Sequence, residues 1–298
     1  MSLKVLMIYP NFRGMNMLPP GVALLSAVLK EAGFEVRLFD TTYYESPPSQ
    51  VEMYKREVGK SYLRRKSFEN MRRELLFYRD VMKAEYLYFW ADTFFSWKEG
   101  EFEEFAEMYK DIRLPFWCQT RIETVTPERL RALREIGCAR LSFGVEHGNE
   151  QYRKSWLRRP VTNDLMIKNF RVVRDSGIPF SVNNIMGFPH ETYELAFDTI
   201  RFNRYIDSWD RNAYQFAPFH GTPLRDECER LGLDRDEDLV QSFVVGDSIL
   251  NMPQFPKNQV RGLVKTFNMY VKFPETRWPD IRKAEADTPE AQKIYTLN

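Results

Sequence analysis

The sequence predicts an α/β protein built on a parallel sheet, either open or closed into a barrel. Short runs of β-branched and aromatic residues alternate along the chain with stretches whose apolar residues fall at helical spacing. Strands separated by helices at this rhythm are joined by right-handed crossovers and run parallel. The 298 residues, 43% of them hydrophobic, suffice for one large domain or two modest ones.

The first elements form a βαβ unit. Lys4 to Tyr9 reads as a strand, and the apolar spacing from Val22 to Ala32 predicts a helix that Gly33 ends. Phe34 to Phe39 follows as a second strand. Two strands and one helix are too small to bury both faces of a sheet, so this unit needs further structure around it.

The alternation resumes at Ser67, which is placed to cap a helix, and Thr126 with Pro127 is a typical helix start. The predicted helices are Ser67 to about Lys83, Glu101–Lys110, Pro127 to Gly137, Asn163–Ser176 and Tyr193–Ile206. The predicted strands are Glu85–Trp90, Leu114–Thr120, Ala139–Glu146, Pro179–Met186 and Asn212–Ala217. From about Thr222 onward we expect mostly helices with loops.

The overall composition excludes several classes of protein. The 43 Lys and Arg residues balance 42 Asp and Glu residues, so no global field attracts nucleic acid or an anionic membrane. The apolar run Val22 to Leu29 is far shorter than the roughly 20 residues that span a bilayer. The cysteines are few and odd in number, namely Cys118, Cys138 and Cys228, which argues against a disulfide-linked secreted protein and predicts a cytoplasmic location.

Polar residues follow each predicted strand of the central region. In parallel α/β folds ligands bind at the carboxyl ends of the strands, so these residues are the candidates for a functional site. They are Asp92 and Thr93; Gln119, Arg121 and Glu123; Glu146, His147 and Gly148; Asn183, Asn184 and the turn from Gly187 to Thr192; and Pro218, His220, Gly221 and Thr222.

Three of these features have a functional and a structural interpretation. Glu146 ends an apolar strand and either contacts a ligand or pairs with an arginine such as Arg121 or Arg140. The amides of Asn183 and Asn184 need partners, which either a ligand or a neighbouring backbone would supply. The turn that starts at Gly187 either presents its backbone amides to a ligand or is a plain strand-to-helix turn capped by Glu191 and Thr192.

Metal and thiol chemistry find little support in the residues themselves. The three histidines, His147, His190 and His220, have spacings that match no metal-binding motif, and we predict no metal site from them. Cys118 lies inside a strand pattern and Cys138 begins one, so both are interpreted as small buried hydrophobes.

Several strings nevertheless resemble the radical S-adenosylmethionine (SAM) superfamily, specifically its branch with an N-terminal cobalamin-binding domain. The strongest strings are Leu141 to Gly148, Asn184 to Thr192 and Pro218 to Leu224, which resemble that family's later barrel strands in order and separation. Phe89 to Phe94 resembles the family's acidic strand-end motif, and Gly137 to Arg140 resembles the segment that leads into the Glu146 strand. Lys4 to Asn11, together with Leu18 to Gly21, resembles the opening of the cobalamin domain.

The resemblance implies a fold, cofactors and binding residues. The fold is a partial (β/α)6 barrel of radical SAM type at residues 45–233, preceded by a fragment of a doubly wound cobalamin-binding domain at 1–44 and followed by a mostly helical region at 234–298. The implied cofactors are SAM, cobalamin and a [4Fe-4S] cluster. The implied SAM-contacting residues are Glu146, Asn184, Met186 and Gly187, with Gln119, Arg121, Arg159 and Pro218 as further neighbours.

The sequence lacks the family's motifs that bind the iron-sulfur cluster and the cobalt of cobalamin. No Cys-x3-Cys-x2-Cys motif occurs, and no Asp-x-His-x2-Gly loop that supplies a cobalt ligand. Ser46 to Gly59 resembles the string that follows the last cluster cysteine in the family, so Thr41 to Glu45 reads as a seam at which more than a hundred residues are missing. A deletion, a numbering artefact and natural degeneration are the three explanations.

The resemblance implies methyl transfer or radical cyclisation on a small-molecule or peptide precursor, with a reductant protein as partner if the enzyme is active. The missing cysteines predict that the chain as it stands is inactive. One alternative is a non-catalytic protein that binds SAM or a nucleotide. Another is a cluster-free barrel enzyme in which Asp92, Glu146 and His147 act as acid-base groups.

Overall fold

The computed structural model describes residues 4–9, 20–40, 67–91, 93–97, 100–219, 221–233 and 248–297. These residues divide into two compact units. The first comprises the described residues within 1–63 and 216–252, and the second those within 64–215 and 253–298. The division differs from the predicted bounds at 44/45 and 233/234, because the segment from Pro253 onward belongs with the central sheet. The seam at Thr41 to Glu45 lies outside the described residues.

The first unit contains the predicted βαβ motif. Strand β1 (Lys4–Tyr9) pairs in parallel with β2 (Glu35–Asp40), and helix α1 (Pro20–Glu31) connects them. The helix begins two residues earlier than predicted, since proline fixes its φ near the helical value and suits the first turn. Helix α8 (Pro223–Arg230) also belongs to this unit and is capped by the Thr222 side chain.

The second unit is built on a five-stranded parallel sheet with strand order β3-β4-β5-β6-β7. Its strands are β3 (Leu87–Phe89), β4 (Phe116–Thr120), β5 (Cys138–Glu146), β6 (Phe180–Met186) and β7 (Asp210–Gln215). The predicted α/β fold with a parallel sheet is confirmed. Strand β7 begins two residues before the predicted start, because Asp210 already pairs with Ser181, and residues from 216 onward belong to the first unit.

Helices follow the strands as the sequence predicts. Those that precede the C-terminal segment are α2 (Phe68–Asp80), α3 (Glu101–Tyr109), α4 (Pro127–Glu135), α5 (Glu150–Ser155), α6 (Asn163–Asp175) and α7 (Tyr193–Arg204). A short 3-10 turn at Ile122–Thr124 and the short helix α5 were not predicted, because each is too short for apolar periodicity to show. Side-chain oxygens cap most of these helices, including Thr126 at α4 and Thr192 at α7.

The two faces of the sheet differ in chemistry. Side chains alternate along each strand, and Phe89, Phe116, Leu141, Phe143 and Val182 point into the hydrophobic core that the helices cover. The alternate residues occupy the opposite face, here called the inner face. It carries Tyr88 on β3, Trp117 and Gln119 on β4, Ser142 and Gly144 on β5, and Ser181 and Asn183 on β6.

The C-terminal segment adds three helices to the second unit, α9 (Lys257–Lys272), α10 (Trp278–Ala284) and α11 (Pro289–Leu297). Helix α9 packs against α7 and β7. A side chain at Gly262 of α9 would come within 2.8 Å of Glu285, which directly follows α10, so the glycine permits the close approach of α9 and the end of α10. The hydroxyls of Tyr193 and Tyr270 both donate to Glu285, which joins α7 to the segment.

Within the part of the chain that the structure describes, none of the helices combines the length and the apolar character needed to pass through a membrane.

Phe105 tests the aromatic core beneath β3 and β4. It is almost fully buried and its ring contacts those of Phe89, Phe94 and Tyr109. Phe105→Ala should lower the free energy of unfolding by about 3 to 5 kcal/mol, because it removes a buried ring and leaves a cavity. Phe77→Ala removes a half-exposed ring and serves as the control. Chemical denaturation measures both, and equal losses would contradict this core assignment.

Candidate functional site

Glu146 ends β5 in a backbone conformation that redirects its side chain. Its φ is +66°, in the left-handed region, and the pairing with β6 shifts by one residue between Gly144 and Glu146. A Cβ at Gly144 would lie only 2.0 Å from Glu146 Oε1, so the carboxylate folds back over the glycine. Glu146 therefore presents its carboxylate on the inner face, at the carboxyl end of the strand.

Arg159 is the nearest cation to this carboxylate, but Arg159 is engaged elsewhere. Its guanidinium donates to the Gly144 carbonyl at 2.7 Å and to both carboxylate oxygens of Glu123, at 2.9 and 3.4 Å. The distance from Arg159 Nη1 to Glu146 Oε1 is 3.6 Å. Arg121 lies 3.6 Å from Glu123. Glu146 accepts no side-chain hydrogen bond from the described residues, so its oxygens remain available to a ligand.

The pKa values of the two carboxylates in this group are shifted in opposite directions. Burial raises the pKa of Glu146 above its ordinary value, and the charges of Arg159 and Arg121 offset this only in part. Burial also acts to raise the pKa of Glu123, but the hydrogen bond and charge of Arg159 outweigh it and hold that pKa below its ordinary value. Although protein atoms crowd around it, the Glu146 side chain keeps 32% of its surface accessible, so it faces an opening.

A fully buried arginine fixes the loop that carries Arg159. Arg153 donates to the carbonyl of His147, directly after Glu146, at 2.6 Å. It also donates to the carbonyl of Val161 at 3.0 Å and to Asn163 Oδ1 at 2.5 Å, both beyond Arg159. Burial lowers the pKa of Arg153 to about 10. No local pattern predicts this role of Arg153, because its hydrogen bonds join residues across a loop without periodicity.

The turn after β6 is held by a buried carboxylate. Glu191 accepts from the backbone amides of Gly187 at 2.5 Å and Phe188 at 3.0 Å. Its other oxygen lies 2.9 Å from His147 Nε2. Since His147 Nδ1 accepts from the Asn149 amide, Nε2 carries the proton and donates it to Glu191. Thr192 caps α7. The turn is therefore a strand-to-helix turn in which Glu191, and not a ligand, accepts from the amides of Gly187 and Phe188.

The two asparagines of β6 point to opposite faces. Asn183 lies on the inner face, where it donates to Ser142 and accepts from Asn212. Asn184 is fully buried on the helix side and exchanges two hydrogen bonds with Asn203 of α7. The period of two along β6, with Val182 in the core, is a sequence signal that predicts this orientation for Asn184 and for the buried Met186.

The expected binding residues are therefore only partly brought together. Glu146, Arg159 and Arg121 form one group, to which the structure adds Glu123 as the acceptor that orients Arg159. Gln119 lies on the inner face, whereas the Asn184 side chain and the Gly187 amide are occupied by protein groups. Pro218 belongs to the first unit, where its carbonyl accepts from Arg225. Asp92 and His220 lie outside the described residues.

The residues present do not fit a [4Fe-4S] cluster. Cluster ligation needs thiolates gathered at one accessible site, whereas Cys118 and Cys138 are buried on neighbouring strands and Cys228 is buried in the other unit. Burial also raises the pKa of the Cys118 thiol, which disfavours the thiolate. No group of histidine, cysteine or acidic residues among the described residues is arranged to hold a metal ion.

Opposite pH dependences follow from the two carboxylates. In the native state Glu146 holds its proton more tightly than in the unfolded chain, so its contribution to stability falls as pH rises from about 4.3 through its raised pKa. Glu146→Gln should therefore gain stability relative to the parent as pH rises across that window. Denaturant unfolding between acidic and neutral pH measures the difference.

Glu123→Gln is the matched variant, for which the change in stability with pH should have the opposite sign. The native pKa of Glu123 is lowered, so its stabilising contribution is present above the unfolded pKa and disappears as pH falls through the native one. The variant should be less stable than the parent at neutral pH and equal to it in acid. The same trend for both variants would contradict the assigned environments.

Comparison with known proteins places this geometry in a family. The model of the radical SAM superfamily matches residues 49–202, just over half of the chain. No curated protein matches the chain significantly in sequence. Among solved structures, coproporphyrinogen III oxidase (HemN) from Escherichia coli, a radical SAM enzyme, is 13% identical with a TM-score of 0.50, and the match covers 90% of this chain and 52% of HemN.

Two further structures are similar at lower scores. The radical SAM methyltransferase TsrM from Kitasatospora setae, solved with cobalamin and a [4Fe-4S] cluster, is 17% identical with a TM-score of 0.47, covering 62% of this chain and 35% of TsrM. The cobalamin-dependent SAM radical enzyme OxsB is 14% identical with a TM-score of 0.49, covering 78% of this chain and 40% of OxsB.

The chain thus spans about half or less of the length of each of these three structures. At such low identity the similarity to HemN supports the fold alone. The family match itself covers β3 to β6 with Glu146, Arg159 and the turn at Gly187. This chain belongs to the radical SAM superfamily.

Proposed function

We propose that the second unit is the SAM-binding part of a cobalamin-dependent radical SAM enzyme, a methyltransferase or cyclase that acts on a small-molecule or peptide precursor. In the chain as it stands the unit binds SAM without cleaving it, because the cluster thiolates are absent. The observation that carries the proposal is the Glu146 carboxylate, which lies at a strand end on the inner face, accessible and without a hydrogen-bond donor of its own.

The charges around Glu146 suit the groups of SAM. A carboxylate without protein donors accepts hydrogen bonds from vicinal hydroxyls, such as those of a ribose. The two arginines of the group carry positive charge that attracts the carboxylate of an amino acid. Arg159 is held in place by Glu123 and the Gly144 carbonyl, whereas Arg121 is half-exposed and is the more accessible of the two candidates. These residues bind and orient the ligand.

Assignment to the cobalamin branch rests on sequence. The three strings around Glu146, Gly187 and Pro218 resemble that branch, as does the βαβ motif of the first unit. Cobalamin in such enzymes carries a methyl group or assists a rearrangement, and a bound cluster would supply the electron for reductive cleavage of SAM. The described residues include neither the cluster thiolates nor a histidine loop for cobalt, so the role of this chain's residues is to bind and orient SAM. An active form would need a reductant protein as partner.

A second candidate function is a non-catalytic protein that binds SAM or a nucleotide. The three buried, scattered cysteines favour it, because a chain of this composition keeps a binding group and lacks the means of reductive cleavage. The cluster-free acid-base enzyme is not supported in the same way. His147 is fully buried with both ring nitrogens bonded, so it has no free nitrogen to exchange a proton with a substrate.

Binding of SAM tests the proposal directly. Glu146→Gln keeps the shape of the side chain and removes its charge, and should weaken SAM binding about tenfold or more in isothermal titration calorimetry, because a charged acceptor is lost. Gly144→Ala should have a similar effect, since the added methyl displaces the Glu146 carboxylate. In a Glu146→Ala background the Gly144→Ala change should add little. Unchanged SAM affinity in both single variants would contradict the proposal.

Anaerobic iron-sulfur reconstitution separates the two candidate functions. The proposal predicts SAM binding without cluster absorbance and without 5′-deoxyadenosine for the chain as it stands. Restoring a Cys-x3-Cys-x2-Cys loop from a family member should restore both signals if the chain derives from an active enzyme. SAM binding without cleavage after that restoration would favour the non-catalytic protein.

A further inference from the structure

Four aromatic side chains form a continuous strip along the β3 and β4 side of the inner face. The aromatic strip consists of Tyr86, Tyr88, Trp90 and Trp117. Ring centroids lie 5.4 Å apart for Tyr86 and Tyr88, 5.4 Å for Tyr88 and Trp117, and 5.6 Å for Trp90 and Trp117. The planes of the two tryptophans differ by only 30°, so they are stacked.

The strip is far more exposed than a structural aromatic cluster. Trp90 exposes 78% of its surface and Tyr88 68%, while the neighbouring Leu87 and Phe89 pack on the core. The helix side of β3 and β4 already contains a full aromatic core, so the strip does not serve to bury that side of the sheet. Contiguous exposed apolar surface of this kind marks a binding surface.

Polar groups border the strip on the same face. Gln119 follows Trp117 by two residues on β4 and lies in register with Ser142 on β5. The Gln119 side-chain amide makes no hydrogen bond within the described part of the chain, and both its donor and its acceptor are available. Further along β5 the inner face reaches Gly144 and the Glu146 carboxylate, so the strip is continuous with the candidate SAM site.

We propose that the aromatic strip binds the substrate, and that this substrate carries a planar aromatic or heteroaromatic ring with a polar group next to it. The ring would stack on the face of Trp90 that is turned away from Trp117, and the polar group would reach the Gln119 amide. Stacking selects a planar ring over a saturated one, because π-faces attract in offset arrangements beyond their buried area. That the bound molecule is the substrate rests on the proposed function, whereas the binding of an aromatic ring to the strip does not.

A matched pair of probes tests the ring preference. Benzamide and cyclohexanecarboxamide share an amide and a ring of six carbons, and differ in aromaticity. Saturation-transfer NMR with the full chain should show benzamide binding about tenfold more tightly than the saturated amide. Equal binding of the two probes, or no binding of either, would overturn the proposal.

The chain offers matched variants for the location of the site. Trp90→Ala should lower benzamide affinity about tenfold, whereas Trp209→Ala removes a tryptophan of equal exposure, 76%, that lies just before β7 and should have no effect. Tyr88→Ala and Tyr205→Ala form a second pair, with exposures of 68% and 70%. All four side chains are largely exposed, so the variants should fold as the parent does. Equal losses within a pair would overturn the location.

SAM binding is measured on the same variants to keep the two proposals distinct. Trp90→Ala should leave the effect of Glu146→Gln on SAM affinity unchanged. Failure of SAM to bind the parent would contradict the proposed function. The preference for benzamide and its loss in Trp90→Ala would still test the aromatic strip independently of SAM.

Discussion

The site depends on one local constraint, the left-handed backbone of Glu146 at the end of β5. This conformation is costly for a residue with a side chain, and it persists only where the surroundings impose it. Here the pairing shift next to Gly144 turns the chain, and the missing Cβ of Gly144 leaves room for the carboxylate. The left-handed φ folds the Glu146 carboxylate back over Gly144 and holds it beside Arg159.

The surrounding polar residues divide into those that build the site and those that face it. Arg153, Glu191 and His147 are fully buried, and their hydrogen bonds fix the loop of Arg159 and the turn at Gly187. Their partners are protein groups, so their role is positional. Glu146 and Gln119 lack such partners among the described residues, and unsatisfied polar groups beside an accessible face are the usual mark of ligand contact.

Much of the fold follows from patterns along the chain, because strand and helix periods and caps are local. The parallel sheet, the caps at Thr126 and Thr192 and the location of Glu146 at a strand end were all predictable. The bulge at Glu146 was not, since it depends on pairing with β6. The SAM contact expected of Asn184 stays a prediction, while its side chain bonds to Asn203 on the helix side, an orientation that counting alternate residues from Val182 predicts. The bond between His147 and Glu191 joins residues 44 positions apart, which no local pattern reveals.

The most direct measurement of the central claim is a crystal structure of the chain with S-adenosylhomocysteine, which resembles SAM and is not cleaved. We predict that the ribose hydroxyls donate to the Glu146 carboxylate on the inner face, with the amino-acid end directed toward Arg159 or Arg121. A ligand bound elsewhere, or a Glu146 carboxylate turned away from it, would contradict the account.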